Sequence, residues 1–200
     1  MAAIEGDAST SFVPRRLEIT FDVSELISLH YFEFAKDFIF RGERHDFWEF
    51  LYIDKGEMEV LADSTGYKLK QGDMIFHKPN EFHSVWANRK IASNAVVVSF
   101  VCTDPAMSFF EGKIFCLSNQ ERDKVADLVR HGFAAFEPPF DDPSRHDLVR
   151  RPDAPPGAEQ LIKIHLELLL LMLLSRGDAM PGDRRHFPDD LVEIRGQEVA

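Results

Sequence analysis

The chain has 200 residues, 44% of them hydrophobic, and a net charge of −11. That length supports one domain with a sizeable core, and that composition excludes a disordered or fibrous chain. An acidic surface repels duplex phosphate unless a basic face overrides it; Arg15-Arg16, Arg150-Arg151 and Arg184-Arg185 are isolated pairs, so this chain is expected not to bind nucleic acid.

Residues 1–16 are mostly small and polar and end in Phe12-Val13-Pro14-Arg15-Arg16. They lack the apolar core of a signal peptide and read as a flexible arm. Residues 17–117 read as β-strands: short aromatic and β-branched runs punctuated by turn residues. Such runs are Leu29–Phe34, Phe47–Ile53, Met58–Leu61, Asp73–Phe76 and Ala95–Cys102; the breakers are Lys55-Gly56, Ser64-Thr65-Gly66, Gln71-Gly72 and Lys78-Pro79-Asn80. Many short strands at this spacing predict a sandwich or barrel.

At 118–136 the period changes to helical. Ser118 and Glu121 make a capping box, in which each side chain takes one of the amide hydrogens left unpaired at the helix start. Residues 137–158 hold six of the eleven prolines and read as a loop. A second helix follows at 159–176, closed by Arg176 and Gly177. Residues 177–200 are Gly-, Pro- and charge-rich and are expected to be poorly ordered. The most apolar stretch, Leu161–Leu174, is too short to span a bilayer and carries Lys163, His165 and Glu167, so no membrane partner is expected. Cys102 and Cys116 have neither redox nor zinc-knuckle spacing, which fits free thiols in a cytoplasmic protein.

The chemistry-bearing stretch is Glu43-Arg44-His45-Asp46-Phe47-Trp48-Glu49, followed by Gly56 and then by Gly72-Asp73 through His83. Glu43, His45, Phe47 and Glu49 share parity, which on one strand places them on one face. Leu51 and Ile53 share it too, so that face is expected to point inward. An inward His and Glu need a ligand, a metal or each other, because burial without a partner is costly. Trp48 and Trp86 have the other parity and are expected on the outside or against a helix. His30 and His77 are read as ordinary strand residues.

These residues resemble the cupin superfamily. His45, Glu49 and Gly56 stand at the offsets of its first motif, with Glu43 in place of the first His. Gly72-Asp73 and His83 match its second motif, with Pro79 displaced by one position and Asn80 where Gly is usual. Within cupins, His45-Asp46-Phe47-Trp48-Glu49-Phe50-Leu51-Tyr52 followed by Gly56-Glu57 resembles the effector-binding and dimerisation domain of AraC-family transcription regulators. The similarity extends over roughly residues 17–176 and implies a mainly β fold. This is a cupin-type double-stranded β-helix, or jelly-roll barrel, at 17–117, with a helical dimerisation extension of two α-helices at 118–176. The family's helix-turn-helix domain has no counterpart in the 24 residues after 176. A stand-alone sensor, a truncated product and an excised domain all fit that end.

The resemblance implies a regulatory module rather than an enzyme, binding a small effector such as a sugar through Glu43, His45, Phe47, Glu49 and His83. No cofactor is expected. If one is present, a divalent transition metal on His45, Glu49 and His83, with Glu43 as a fourth ligand, suits the donor types, and a metal-dependent cupin dioxygenase or isomerase is the alternative reading. The second helix carries two apolar stripes, Leu161, Ile164, Leu168, Leu171 and Ile162, Leu166, Leu169, Leu173. Two stripes need two partners, and a second copy of the chain is the simplest second one, so a homodimer through 161–174 is expected.

Overall fold

The computed structural model describes residues 12–177. Most of the expected arm and nearly all of the expected tail lie outside the described residues; residues 12–16 have irregular backbone and are exposed. The strands are β1 (Glu25–Phe34), β2 (Ile39–Glu43), β3 (Trp48–Lys55), β4 (Glu57–Ala62), β5 (Thr65–Lys70), β6 (Asp73–His77), β7 (His83–Ala87), β8 (Ser93–Val101) and β9 (Ile114–Cys116). A 3-10 turn at Pro105–Phe110 precedes β9, and α1 (Asn119–Ala135) and α2 (Ala158–Arg176) follow it. No helix among the described residues is long and apolar enough to cross a membrane.

Two antiparallel sheets form, ordered β1-β8-β3-β6-β9 and β2-β7-β4-β5. The chain changes sheet between β1 and β2, β2 and β3, β3 and β4, β5 and β6, β6 and β7, and β7 and β8, which is how a jelly roll wraps one sheet over the other. The fold is the cupin-type barrel followed by two α-helices. One sequence breaker is corrected: Thr65 and Gly66 open β5, because the tight turn needs only Asp63 and Ser64.

The five-stranded sheet is buried on both faces. Trp48, Phe50 and Tyr52 of β3, with Met74, Phe76, Val96, Val98 and Phe100, face the helices, where they join Val125, Leu128, Ile162, Leu166, Leu169 and Leu173. Leu51 and Ile53 face the barrel interior with Ile75, Met58, Val60, Leu69, Phe32 and Phe34. Helix α1 comes so close to β1 that a Cβ on Gly132 would lie 2.5 Å from Leu29 Cδ1, a contact that only glycine permits without a shift. Asn80, where cupins favour Gly, has φ +64°; asparagine tolerates this left-handed backbone better than most residues.

Helix α1 starts with the expected capping box: Ser118 Oγ accepts from the Glu121 amide, and Glu121 accepts from the Ser118 amide at 2.6 Å. In α2 the two stripes part company. Ile162, Leu166, Leu169 and Leu173 are buried, whereas Leu161, Ile164, Leu168 and Leu171 are 38–45% exposed. A Leu side chain removed from a packed core costs its transfer energy plus that of the cavity left behind. Leu169→Ala should therefore lower stability by about 2–5 kcal/mol, and Leu168→Ala, in dilute protein, by no more than about 0.5 kcal/mol. Urea denaturation of the two variants checks this, and equal losses would assign both stripes to the monomer core.

Candidate functional site

Glu43 and His83 are directly paired across β2 and β7. Glu49, on β3, lies opposite His77 of β6 on one side and Ser99 of β8 on the other. The expectation that Glu43, His45 and Glu49 share one strand is corrected. Glu43 ends β2 in one sheet, Glu49 lies on β3 in the other, and His45 sits in the connection between them. They converge because the chain crosses between sheets there. The crossing is held by the β6–β7 turn, since the Asn80 amide donates to the His45 carbonyl at 2.6 Å and Arg44 donates to the Asn80 carbonyl.

One polar atom from each of Glu43, His45, Glu49 and His83 lies within 4.8 Å of the other three. His83 Nε2 is 3.4 Å from Glu49 Oε1 and 3.8 Å from Glu43 Oε1, and His45 Nε2 is 3.6 Å from Glu49 Oε2. Neither imidazole Nε2 has a hydrogen-bond partner, although both atoms are buried. Their Nδ1 atoms are fixed: His45 Nδ1 donates to the Phe47 carbonyl at 3.0 Å, and His83 Nδ1 to the Glu81 carbonyl at 3.2 Å. Each Nε2 is thereby turned toward the carboxylates. Ser99 Oγ donates to Glu49 Oε2 at 2.7 Å. Two nitrogen and two oxygen donors so arranged fit a divalent transition metal in their type, and the unpaired Nε2 atoms are where such an ion would be held.

Phe47 stacks on His45 with ring centroids 3.9 Å apart. All five sequence-derived site residues line one cavity of about 330 Å³, at the small end of ordinary ligand sites. An open groove between α1 and the outer face of the sheet, beside Tyr31 and Arg122, is larger at about 580 Å³. The barrel site is the more enclosed of the two.

His30 and His77 are more than ordinary strand residues, since both line the cavity. His77 stacks on His83 at 4.3 Å, and its Nδ1 donates to Glu81 Oε2 at 2.9 Å. His30 stacks on Phe32. The missed signal was parity: His30 alternates with Phe32 and Phe34, and His77 with Ile75, all interior. Pro143 and His146, from the connection between α1 and α2, also reach the cavity; nothing in their local sequence marks them.

Residues 27–92 match the AraC-like ligand binding domain family. This is the family that the two motifs resembled. No curated protein matches the chain. Among solved structures, a variant of apo ToxT from Vibrio cholerae strain SCE256 is 10% identical, with a TM-score of 0.49, over 92% of this chain and 72% of that one. ToxT from the same strain with unsaturated fatty acid bound is 13% identical, TM-score 0.47, over 86% of this chain and 61% of that one. The Cnp3 cupin domain of Schizosaccharomyces pombe is 13% identical, TM-score 0.37, over 40% of this chain and 59% of that one. This chain thus spans less than two thirds of the fatty-acid-bound ToxT chain and of the Cnp3 domain.

Electrostatics inside the barrel follow from burial set against pairing. Burial would lower the His83 pKa, but the Glu43 and Glu49 carboxylates outweigh it and hold the group up to about 10. Burial would likewise raise Glu49, but His45 and His83 hold it well below the usual carboxylate range. The two shifts express one ion pair and count once. Burial dominates at His77 and His30, and lowers both. Because the folded pKa of His83 lies above its ordinary 6.5, its contribution to stability is complete below pH 6.5 and is lost as pH rises toward about 10. That of Glu49 is complete above its ordinary 4.5 and is lost as pH falls. In chelator-treated protein the melting temperature should therefore decline from pH 6.5 toward about 10. His83→Gln should be less stable overall and lose that decline, and thermal melts across the range read both effects.

Proposed function

We propose that this chain is the ligand-sensing module of an AraC-type transcription regulator, with a small effector bound inside the barrel. The observation that carries this is the cavity itself. It is walled largely by phenylalanine and other apolar side chains, with buried, unpaired imidazole nitrogens at one pole. Pockets of this make-up, apolar with a few convergent polar groups, suit small molecules. The match at residues 27–92 supports the same reading. Catalysis is not part of it, nor is direct contact with nucleic acid, which the charge of −11 opposes. The cytoplasm, where transcription regulators work, is the compartment this reading implies. A binding event would reach the helices through the α1–α2 connection, which contributes Pro143 and His146 to the cavity. That connection is tied to β1 by the Tyr31 amide on the Phe140 carbonyl at 2.9 Å, and to α2 by Arg150 on Glu159 at 2.6 and 2.7 Å.

A second reading, a metal-dependent cupin enzyme, is favoured by the four donor residues. Glu43, His45, Glu49 and His83 would hold the ion, which when bound acts as a Lewis acid on a ligand oxygen. One experiment separates the two. Purified protein is assayed for metal content and screened by thermal shift against small apolar molecules, beside a Val97→Trp variant whose added ring fills the cavity. The sensor reading expects stabilisation without metal, lost in Val97→Trp. About one equivalent of metal, lost in His45→Ala, with no metal-free ligand binding, would replace it with the second reading.

The exposed stripe Leu161, Ile164, Leu168 and Leu171 is the face on which two copies would pair. Burying a Leu side chain stabilises by roughly 1.5–3 kcal/mol, so four side chains on each copy supply a strong drive. Light scattering at tens of micromolar, a range of order set by typical interface affinities, should give a dimer for the wild type and a folded monomer for Leu168→Glu with Leu171→Glu. A monomeric wild type would overturn the pairing.

A further inference from the structure

The polar pole of the barrel cavity carries two carboxylates, Glu43 and Glu49. No Lys or Arg is among the cavity's lining residues. The Glu43 carboxylate lies 3.8 Å from His83 Nε2, beyond hydrogen-bond reach. His45 Nδ1 donates to the Phe47 carbonyl, which turns its buried Nε2, without a hydrogen bond, into the pole. A buried polar atom without a partner is uncommon enough to point to an absent one.

These features restrict the ligand. An anion would enter against two carboxylates, and the cationic group at the pole, the His83 ring, already lies between them. A sugar needs polar partners around most of its rim, whereas beyond the pole the wall is mostly apolar, with Phe32, Phe34, Phe38, Phe40 and Leu51 interrupted by Ser28, His30, Ser84 and His146. A volume of about 330 Å³ leaves room for one compact apolar body. Aromatic walls also attract a cation through their ring faces.

Resting on the effector reading above, we infer that the barrel takes a small apolar amine. Its aryl or alkyl body lies among Phe32, Phe34, Phe38 and Phe40, and its protonated nitrogen is held by the Glu43 carboxylate with His45 Nε2 as a second acceptor. Glu43 is the specificity-determining residue, because Glu49 is already engaged by Ser99 and His83.

The test uses the full chain in chelator and three ligands of matched body: 2-phenylethylamine, 2-phenylethanol and 3-phenylpropionate. Titration calorimetry should give the amine an affinity at least about tenfold tighter than the other two, equivalent to about 1.4 kcal/mol. Glu43→Gln should erase that advantage while leaving the affinity for the alcohol unchanged. Because Glu43 ends a strand and its side chain is 45% exposed, the substitution leaves the core intact, and circular dichroism confirms the fold. Alcohol or acid binding as tightly as the amine overturns the inference and leaves the cavity reading standing. Acid binding only after Zn²⁺ or Mn²⁺ is added also overturns it, assigning the pole to a metal. Binding of none of the three, with the neutral dye Nile red excluded as well, removes the effector reading together with the inference.

Discussion

Strand β3 is buried along almost its whole length, and the molecule is arranged around that burial. Its even-numbered side chains, Trp48, Phe50 and Tyr52, pack under the helical layer; its odd-numbered ones, Glu49, Leu51 and Ile53, point into the barrel. A strand covered on both faces cannot shift register by one residue without exchanging a carboxylate for a tryptophan in a closed space. The position of Glu49 is therefore set as firmly as that of the core, and the other polar groups of the cavity are placed around it. Sheet neighbours supply His77 and Ser99, and the opposite sheet supplies His83 and Glu43.

Burying an ion pair in this way contributes little net stability, since the desolvation cost offsets most of the attraction. A hydrophobic replacement of the same volume would serve a purely structural role as well or better. The cluster also leaves two imidazole nitrogens without hydrogen bonds, which a structural network would have satisfied. Both facts fit the proposed effector site, in which the pole would meet what enters the barrel. The remaining walls are mostly apolar, so on that proposal a ligand is recognised at one end and accommodated at the other.

The path from cavity to helices is short. The α1–α2 connection touches the cavity through Pro143 and His146, lies against β1 through Phe140, and leads into α2 through the Arg150–Glu159 pair. Phe140 also stacks on Phe133 of α1 at 4.1 Å. Helix α2 is clamped by its buried stripe and, at its end, by Arg176 on Glu121 at 2.9 Å, while its other stripe faces outward. A ligand that shifted the connection would act on a rigid helix carrying an exposed apolar face, which is an economical way to couple a small cavity to a large surface.

Much of this was legible in the sequence, for local reasons. The spacing of His45, Glu49, Gly56, Gly72-Asp73 and His83 carried the family, and the capping box and the 3–4 spacing of leucines carried the helices, because those features depend on residues close in the chain. Parity showed that His45, Phe47 and Glu49 face inward. What parity could not show was that Glu43 and Glu49 belong to different sheets, because a crossover keeps the alternation of side chains while changing the neighbours. His30 and His77 were passed over because an inward histidine is recognised only when the partner strand is known, and Glu49 opposite His77 is a long-range pairing. The helix periodicity likewise showed two apolar stripes without saying which is covered. Packing against the sheet chose Ile162, Leu166, Leu169 and Leu173 and left the other stripe outward. Chain-local patterns determined which residues are apolar, polar or turning; only closure of the barrel and docking of the helices decided which of them meet.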